Sequence, residues 1–231
     1  MEAGIERILV PGWDVSSSEA ALALALRYPG LIDAAVGVHP HHAAEMDEAA
    51  WTRLEQLAAD SGTRAIGEIG LDHHRNLSPP DAQREVLLRQ LDLAGSHGLP
   101  VAVHDRDAHD ETLEALLAWA AQGIRRRGIL HAYSGDVAMA ELLHAAGFLV
   151  SFALPVAFRT AEGPRAAARA AERGSYLVET DSPYLGPDRD RRNEPTTALR
   201  VVAELGRLRG EEDEAIAADV HAAYLALIGE S

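Results

Sequence analysis

Short apolar runs alternate along the chain with longer runs that are apolar on one face only. Seven short runs, rich in β-branched residues, are predicted strands: Arg7–Pro11, Ala34–His39, Arg64–Gly70, Pro100–His104, Gly128–His131, Phe148–Phe152 and Tyr176–Asp181. The longer runs have helical spacing, and the predicted helices include Ser17–Tyr28, Asp47–Ala59, Asp81–His97, Glu111–Gln122, Val137–Ala145, Thr196–Arg209 and Glu211–Ile228. The pattern therefore predicts a strand–helix unit repeated seven times.

Strands that are apolar on both faces and separated by helices are typical of a parallel sheet covered on both sides. Seven of them at repeat spacing favour an α/β fold of the TIM type, a (β/α) barrel with seven of its usual eight strands in this chain. The stretch VPGWDVSSSE after the first strand lacks the glycine spacing of a dinucleotide- or phosphate-binding loop. Without any linker-like composition, residues 1–231 are expected to form one domain.

The amino-acid composition excludes several kinds of binding and catalytic chemistry. With 36 acidic and 21 basic residues the formal charge is −15, which disfavours a protein that holds nucleic acid by bulk attraction. Cysteine is absent and every basic residue is arginine, so disulfides, thiolate ligands and lysine Schiff bases are excluded. With no leader-like start and no apolar run near the roughly 18 residues that span a bilayer, we expect a cytoplasmic protein without a membrane partner.

Histidine and acidic side chains stand where five predicted strands end: His39, Glu68 with Asp72, His104, His131 and Asp181. In a parallel barrel these ends converge on the face where active sites lie. Imidazole nitrogen and carboxylate oxygen bind zinc, manganese and magnesium, so Glu68, His104, His131 and Asp181 are the candidate metal ligands. This set predicts metal-assisted hydrolysis, with Asp181 accepting the proton of the attacking water.

Simpler explanations exist for single members of this set. Glu68 alone could be a buried carboxylate paired with an arginine, and the Asp-Ser-Pro that begins at Asp181 is a common turn sequence. Four such residues at four separate strand ends favour the metal site. Four other histidines lie in helical or loop stretches and are assigned no function: His97, His109, His144 and His221.

Six stretches of the chain together form a recognisable series: GVHPHHA, GEIGLDHHRNLSPPDAQREV, LPVAVHDRDA, HAYSG, YLVETDSPYLGP and RRNEP. In this order they resemble the signatures of the TatD-type metal-dependent deoxyribonucleases, a branch of the amidohydrolase-like barrels. The resemblance runs from about Gly4 to Leu227. It implies a TIM-type barrel with two divalent ions (Mg, Mn or Zn). It also implies exonuclease-like hydrolysis of phosphodiester bonds in DNA, with single strands or strand ends as the substrate.

The resemblance also assigns roles to residues. It places the metal-bridging glutamate at Glu68, further ligands at His104 and His131, and the aspartate of the ETDSP signature at Asp181. Glu68 and Asp181 are therefore the predicted catalytic residues. Residues in the matching pocket and loops are predicted to bind substrate: His39, His41, Arg106, Arg192 and Asn193.

The chain departs from the family pattern at its start. Family members open with a strand that ends in Asp-x-His-x-His, whose histidines bind metal, whereas this sequence opens with MEAGIERILVPG. About one βα unit, roughly 25 residues, is expected to be missing. A start codon placed too far downstream is the favoured explanation, and a truly shortened chain is the alternative. For the 231 residues themselves we expect weakened metal affinity and impaired activity.

Two other functions remain open. Related barrels hydrolyse small amides, esters or lactones, and the negative charge suits a small substrate better than long DNA. The chain could also be a noncatalytic, truncated binding protein. The signatures around Glu68 and Asp181 favour the nuclease, while the metal, the strand polarity, the preference for DNA over RNA and the oligomeric state are not specified by the sequence.

Overall fold

The computed structural model describes residues 4–124, 127–187 and 192–230. All seven predicted strands are present there: β1 (Ile8–Pro11), β2 (Ile32–Val36), β3 (Thr63–Asp72), β4 (Val101–Arg106), β5 (Gly128–Leu130), β6 (Phe148–Phe152) and β7 (Tyr176–Val178). The helices are α1 (Val15–Arg27), α2 (Glu48–Ala58), α3 (Pro80–His97), α4 (His109–Ala120), α5 (Val137–Ala145), α6 (Glu162–Ala170), α7 (Ala198–Arg209) and α8 (Asp213–Ile228). The predicted alternation of strands and helices, and with it the α/β class, is confirmed.

Local capping interactions explain where several helices begin. The Asp14 side chain accepts a hydrogen bond from the backbone N–H of Ser17 at 2.7 Å, so α1 begins directly after Asp14. Asp47 and Asp136 make the same kind of bond before α2 and α5. Each aspartate satisfies an amide that the first helical turn leaves without an intrahelical partner.

Three strands end earlier than the sequence pattern predicts. β2 ends at Val36, β5 at Leu130 and β7 at Val178. His39, His131 and Asp181 consequently lie in the segments that follow these strands, which frees their side chains from the alternation of a pleated strand. Helix α6 was not among the named helices, because Gly163 and Pro164 at its start break the helical pattern.

The described residues group into two compact units. The first is Glu6–Ile129, in which β1 pairs with β2, β2 with β3, and β3 with β4, always in parallel. Its core includes fully buried side chains from β3 and from α2 and α3, among them Leu54, Ile66, Ile69 and Leu91. Parallel pairing places the carboxyl ends of β1 to β4 at the same edge of this unit.

The second unit comprises the described residues from Leu130 onward, with Gly4 and Ile5. Here β6 pairs in parallel with β7, and Phe152 stands opposite Val178. Its core contains Phe148, Phe152, Tyr176 and Leu205, all nearly inaccessible to solvent. The single-domain prediction stays a prediction. None of the described helices has the length and apolar character needed to cross a membrane.

Candidate metal centre

Two glycines of β3 allow that strand to lie very close to β4. A Cβ atom on Gly67 would lie 2.6 Å from the Cβ of Ala102. Gly70 has φ of +144°, and a Cβ there would collide with the backbone carbonyl of His104. Gly70 also stands opposite His104 in the parallel register. The close approach sets Glu68, on β3, beside His104, on β4.

Replacing Gly70 with alanine is expected to lower the free energy of unfolding by about 3 kcal/mol, because the added methyl group must push β3 and β4 apart. Gly98→Ala is the matched control: Gly98 also has positive φ (+64°) but open space around a built Cβ, so only the backbone cost of about 1 kcal/mol applies. Urea unfolding of both variants measures the difference. Equal losses would show that the contact with His104 does not constrain Gly70.

Glu68, His104 and His39 form a cluster at the carboxyl end of the first unit's strands. Oε1 of Glu68 lies 3.0 Å from Nδ1 of His104 and 3.4 Å from Nε2 of His39. The two imidazole rings are 4.5 Å apart at their centroids. One potential ligand atom from each residue lies within 4.8 Å of the others. Glu68 and His104 were predicted as metal ligands, whereas His39 was predicted to contact substrate.

The donor set fits a divalent cation. Two ligands at about 2.0–2.2 Å from one ion, at right angles or wider, are separated by about 3 Å or more, which is the spacing of Oε1 of Glu68 and Nδ1 of His104. Burial lowers the pKa of His39, and the hydrogen bond and negative charge of Glu68 offset this only in part. His39 is therefore neutral at neutral pH, the state in which an imidazole adds no charge that would repel a cation.

A second carboxylate, Asp72 at the end of β3, lies behind the cluster and is fully buried. Its Oδ2 is 2.7 Å from Nε2 of His41 and 3.4 Å from Nε2 of His104, while Oδ1 accepts the backbone N–H of Arg75 at 2.7 Å. Burial alone would raise the pKa of Asp72, but the hydrogen bonds from Arg75 and His41 outweigh it and bring the pKa to about 2. Asp72 is therefore an anion throughout the neutral range.

A short 3-10 helix over Pro40–Glu45, which contains His41 and directly follows His39, is hydrogen-bonded to the loop after β3. Ser78 donates its hydroxyl hydrogen to the carbonyl of His41 at 2.9 Å and accepts the N–H of Ala44 at 3.1 Å.

Backbone hydrogen bonds also hold Glu68 and His39 in place. The backbone N–H of Glu68 donates to the carbonyl of Gly12 at 2.7 Å, and that of His39 to the carbonyl of Trp13 at 3.0 Å. Backbone bonds thus position two of the clustered residues independently of their side chains.

In the second unit, His131 is oriented by an acidic residue that the sequence analysis did not assign. Oε1 of Glu179 lies 2.9 Å from Nδ1 of His131 and also accepts the backbone N–H of Ala132 at 3.0 Å. This contact directs Nε2 of His131 away from Glu179. Glu179 stands two residues before Asp181 in the stretch ETDSP. A second acidic residue at the same strand end was the sequence signal that could have identified Glu179 as part of the site.

Asp181 follows β7, and its backbone carbonyl accepts the N–H of Tyr184 at 2.6 Å. The four predicted ligands thus divide evenly between the two units, with Glu68 and His104 in the first and His131 and Asp181 in the second. The surroundings of each pair are described within its own unit. The ligand roles of all four residues stay predictions.

The remaining predicted substrate-binding residues differ in their surroundings. Arg106 ends β4 and is exposed, and Arg192 is exposed as well. Asn193 is buried, and its contacts are local: its backbone N–H donates to the carbonyl of Pro183 at 3.0 Å, and its Oδ1 accepts the N–H of Glu194 at 2.9 Å. These bonds stabilise the loop that contains Asn193, and the substrate roles of all three residues stay predictions.

Comparison with known structures agrees with the fold expected from the sequence. The crystal structure of YJJV, a TatD homolog from Escherichia coli K12, superimposes with a TM-score of 0.92 at 29% sequence identity, covering 100% of this chain and 89% of that one. The TIM-type (β/α) barrel class is thereby confirmed. Fold and candidate site together define a metal-dependent hydrolase built on such a barrel.

The particular family follows from sequence comparison. The family model described as "TatD related DNase" matches residues 1–229, and the chain belongs to this family. A protein named "3'-5' ssDNA/RNA exonuclease TatD" from Erwinia billingiae is 37% identical over 223 residues, which are 93% of this chain and 84% of that protein. "Uncharacterized metal-dependent hydrolase YabD" from Bacillus subtilis is 34% identical over 92% of this chain and 83% of its own length. The predicted family membership is confirmed.

Proposed function

We propose that this protein hydrolyses phosphodiester bonds at the ends of single-stranded DNA with the help of a divalent cation held by Glu68 and His104. The observation that carries the proposal is the convergence of Oε1 of Glu68 and Nδ1 of His104, 3.0 Å apart, at the carboxyl end of neighbouring parallel strands. Membership of the TatD related DNase family supports phosphodiesters as the substrate class. Relatives named as single-stranded DNA and RNA exonucleases support strand ends.

Glu68 and His104 would hold the ion. A bound Mg²⁺, Mn²⁺ or Zn²⁺ would supply Lewis-acid chemistry at the phosphoryl oxygen and make water acidic enough to be deprotonated near neutral pH. Glu68 would also help to hold a second ion, and Asp181 would accept the proton of the attacking water. His131 is proposed as a further ligand on the strength of the family resemblance.

His39 is better suited to donate a hydrogen bond than to bind the ion. Its Nδ1 accepts the backbone N–H of His41 at 3.2 Å, so the proton of the neutral ring is on Nε2, the atom that faces Glu68. Ligation through Nε2 would move that proton to Nδ1, where it would point at the N–H of His41. We therefore assign the single N–H of His39, on Nε2, the role of orienting Glu68, and its contact with substrate stays a prediction.

The formal charge of −15 works against long-range attraction of DNA. Binding of a phosphodiester must therefore depend on the cation and on nearby arginines, for which Arg106 and Arg192 are the proposed residues. A short strand end places few phosphates near the acidic surface. Charge thus favours trimming of ends over cleavage within long duplexes.

A small amide, ester or lactone is the second candidate substrate, and the same negative charge favours it. The expectation that the 231 residues have impaired activity rests on the absence of an Asp-x-His-x-His sequence from them, and it stays a prediction. Hydrolysis of nucleic acid and of small esters would both require the cation at Glu68. Substrate class must therefore be tested separately from metal dependence.

Removal of metal is expected to abolish activity on DNA. Incubation of a 5′-labelled single-stranded oligonucleotide with Mn²⁺ should give a ladder of products that shorten from the unlabelled end, no products with EDTA, and products again when Mn²⁺ is restored. The same protein is assayed against p-nitrophenyl esters and lactones. Turnover of those substrates alone would favour the second candidate, and no turnover with Mn²⁺, Mg²⁺ or Zn²⁺ would contradict a hydrolytic function of this chain.

A further inference from the structure

Asp72 is a buried carboxylate whose function the proposed reaction does not include. Its side chain is fully inaccessible to solvent, and one of its oxygens, Oδ2, faces two imidazole rings at once. Nε2 of His41 lies 2.7 Å from this oxygen, and Nε2 of His104 lies 3.4 Å from it. The two histidines come from different parts of the chain, so Asp72 is the point at which β4 and the segment after β2 meet the end of β3.

The position of Asp72 is itself firmly set. Gln83, fully buried on α3, accepts the backbone N–H of Asp72 at 2.8 Å and donates to its carbonyl oxygen at 3.3 Å. The backbone N–H of Arg75 donates to Oδ1 at 2.7 Å. With Oδ1 and the backbone both engaged, Oδ2 is the part of the carboxylate that is turned toward the histidines. This arrangement leaves the carboxylate little freedom to rotate.

An ionised carboxylate can only accept hydrogen bonds, so His41, whose Nε2 lies 2.7 Å from Oδ2, must present its N–H there. Nε2 of His104 makes no hydrogen bond to Asp72, but at 3.4 Å the negative charge of the carboxylate still favours an N–H over a lone pair on that nitrogen. A cation held by Oε1 of Glu68 and Nδ1 of His104, which are 3.0 Å apart, would need the lone pair of Nδ1, so the ring proton would be on Nε2 beside Asp72. A carboxylate behind a ligating imidazole is a common way to fix ring orientation and to raise the basicity of the ligand.

We propose that Asp72 is a positioning residue that fixes the protons of His41 and His104 on Nε2 and so turns Nδ1 of His104 toward the cation. This inference rests on the cation site proposed at Glu68 and His104. Asp72 does not itself touch substrate or ion. Its effect is on which nitrogen of His104 is available as a ligand, and on the direction in which His41 donates.

The test replaces Asp72 with asparagine, which keeps the shape of the side chain. The N–H of Arg75 needs an acceptor, so the amide oxygen takes the place of Oδ1 and the amide NH₂ takes the place of Oδ2. That NH₂ faces Nε2 of both histidines and requires them to accept, which moves their protons to Nδ1. The substitution thus reverses the tautomer at His104 and directs an N–H at Glu68.

Two readouts are expected to change. In zinc-loaded protein, ¹⁵N-detected imidazole spectra should show Nε2–H and a ligated Nδ1 for His104 in the wild type, and loss of that pattern in Asp72→Asn. His104→Gln and His41→Gln variants assign the signals among the 11 histidines. Calorimetry should show Mn²⁺ affinity lowered by about 10- to 100-fold, the usual effect of removing such a supporting group.

Asp105→Asn is the matched control. Asp105 is a mostly buried aspartate on β4 that pairs with Nδ1 of His109 at 2.6 Å, so the same substitution alters a similar Asp–His pair that includes neither His41 nor His104. Its Mn²⁺ affinity should stay within about twofold of wild type. A His104 ligated through Nε2 in the wild type would overturn the proposal even if Asp72→Asn failed to fold. Equal affinity in the two variants would also overturn it, while cation-dependent cleavage by the wild type would leave the proposed function intact.

Discussion

Replacing Glu68 with glutamine is expected to reduce the metal-dependent release of nucleotides from single-stranded DNA by about 10³-fold or more. The amide keeps the size of the side chain but loses the negative charge that the cation needs. Since metal catalysis contributes several kcal/mol to such reactions, and about 1.4 kcal/mol corresponds to a factor of ten, loss of the ion explains a change of this size. Initial rates at saturating Mn²⁺ measure it.

Glu45→Gln is the control for this substitution. Glu45 also lies beside a histidine, with Oε2 3.1 Å from Nδ1 of His42, but its side chain is 71% exposed and lies outside the cluster. Its nucleotide release should remain within about twofold of wild type, as for most surface substitutions. If Glu68→Gln retained a similar rate, the proposed role of Glu68 would be wrong, whatever other residues bind the metal.

Replacing Asp33 with alanine is expected to lower the free energy of unfolding by about 3–5 kcal/mol, the cost of leaving a buried charge without its partner. Asp33 lies at the start of β2 and is buried. Nε and Nη2 of Arg7 donate to its carboxylate at 2.8–3.0 Å, and Arg64 lies 3.8 Å from Oδ1. Two guanidinium groups therefore lose their carboxylate when Asp33 is removed. Urea unfolding followed by circular dichroism gives the change.

An exposed ion pair supplies the comparison. Nε of Arg53 donates to Glu19 at 2.7 Å, a distance as short as those at Asp33, but both side chains are nearly half exposed. Solvent screening limits such pairs to about 1 kcal/mol or less, so Arg53→Ala should shift the unfolding midpoint only slightly. Comparable losses in Asp33→Ala and Arg53→Ala would show that burial does not strengthen the pair at Asp33. The catalytic rate of the folded Asp33→Ala protein should be unchanged, because Asp33 lies at the amino end of its strand.

The order of strands and helices follows from the sequence because hydrophobic periodicity is a property of each segment by itself. The length of a strand is not, since it depends on the neighbour with which it pairs. His39, His131 and Asp181 were accordingly predicted at strand ends and lie instead just beyond them. The difference is small in sequence, but it matters for the site, because a residue beyond the strand can turn its side chain toward the ends of neighbouring strands.

Part of the candidate site was also predictable from the sequence. Glu68 and His104 are unusual residues for buried strands, and the parallel register brings them together. The roles of Asp72 and Glu179 could not be read from composition, since an acid beside a histidine is recognisable only when the distance between them is known. His39 illustrates the same limit: its hydrogen bond from the N–H of His41, which determines its tautomer, depends on the local turn.

Binding of Mn²⁺ to wild-type, Glu68→Gln and His104→Gln proteins, measured by electron paramagnetic resonance of free Mn²⁺ at neutral pH, tests the central claim most directly. The wild type should remove Mn²⁺ from solution at a saturable site, and each variant should lose that site while keeping the wild-type circular dichroism spectrum. Saturable binding of equal affinity in all three proteins would contradict the assignment of Glu68 and His104 as the residues that hold the cation.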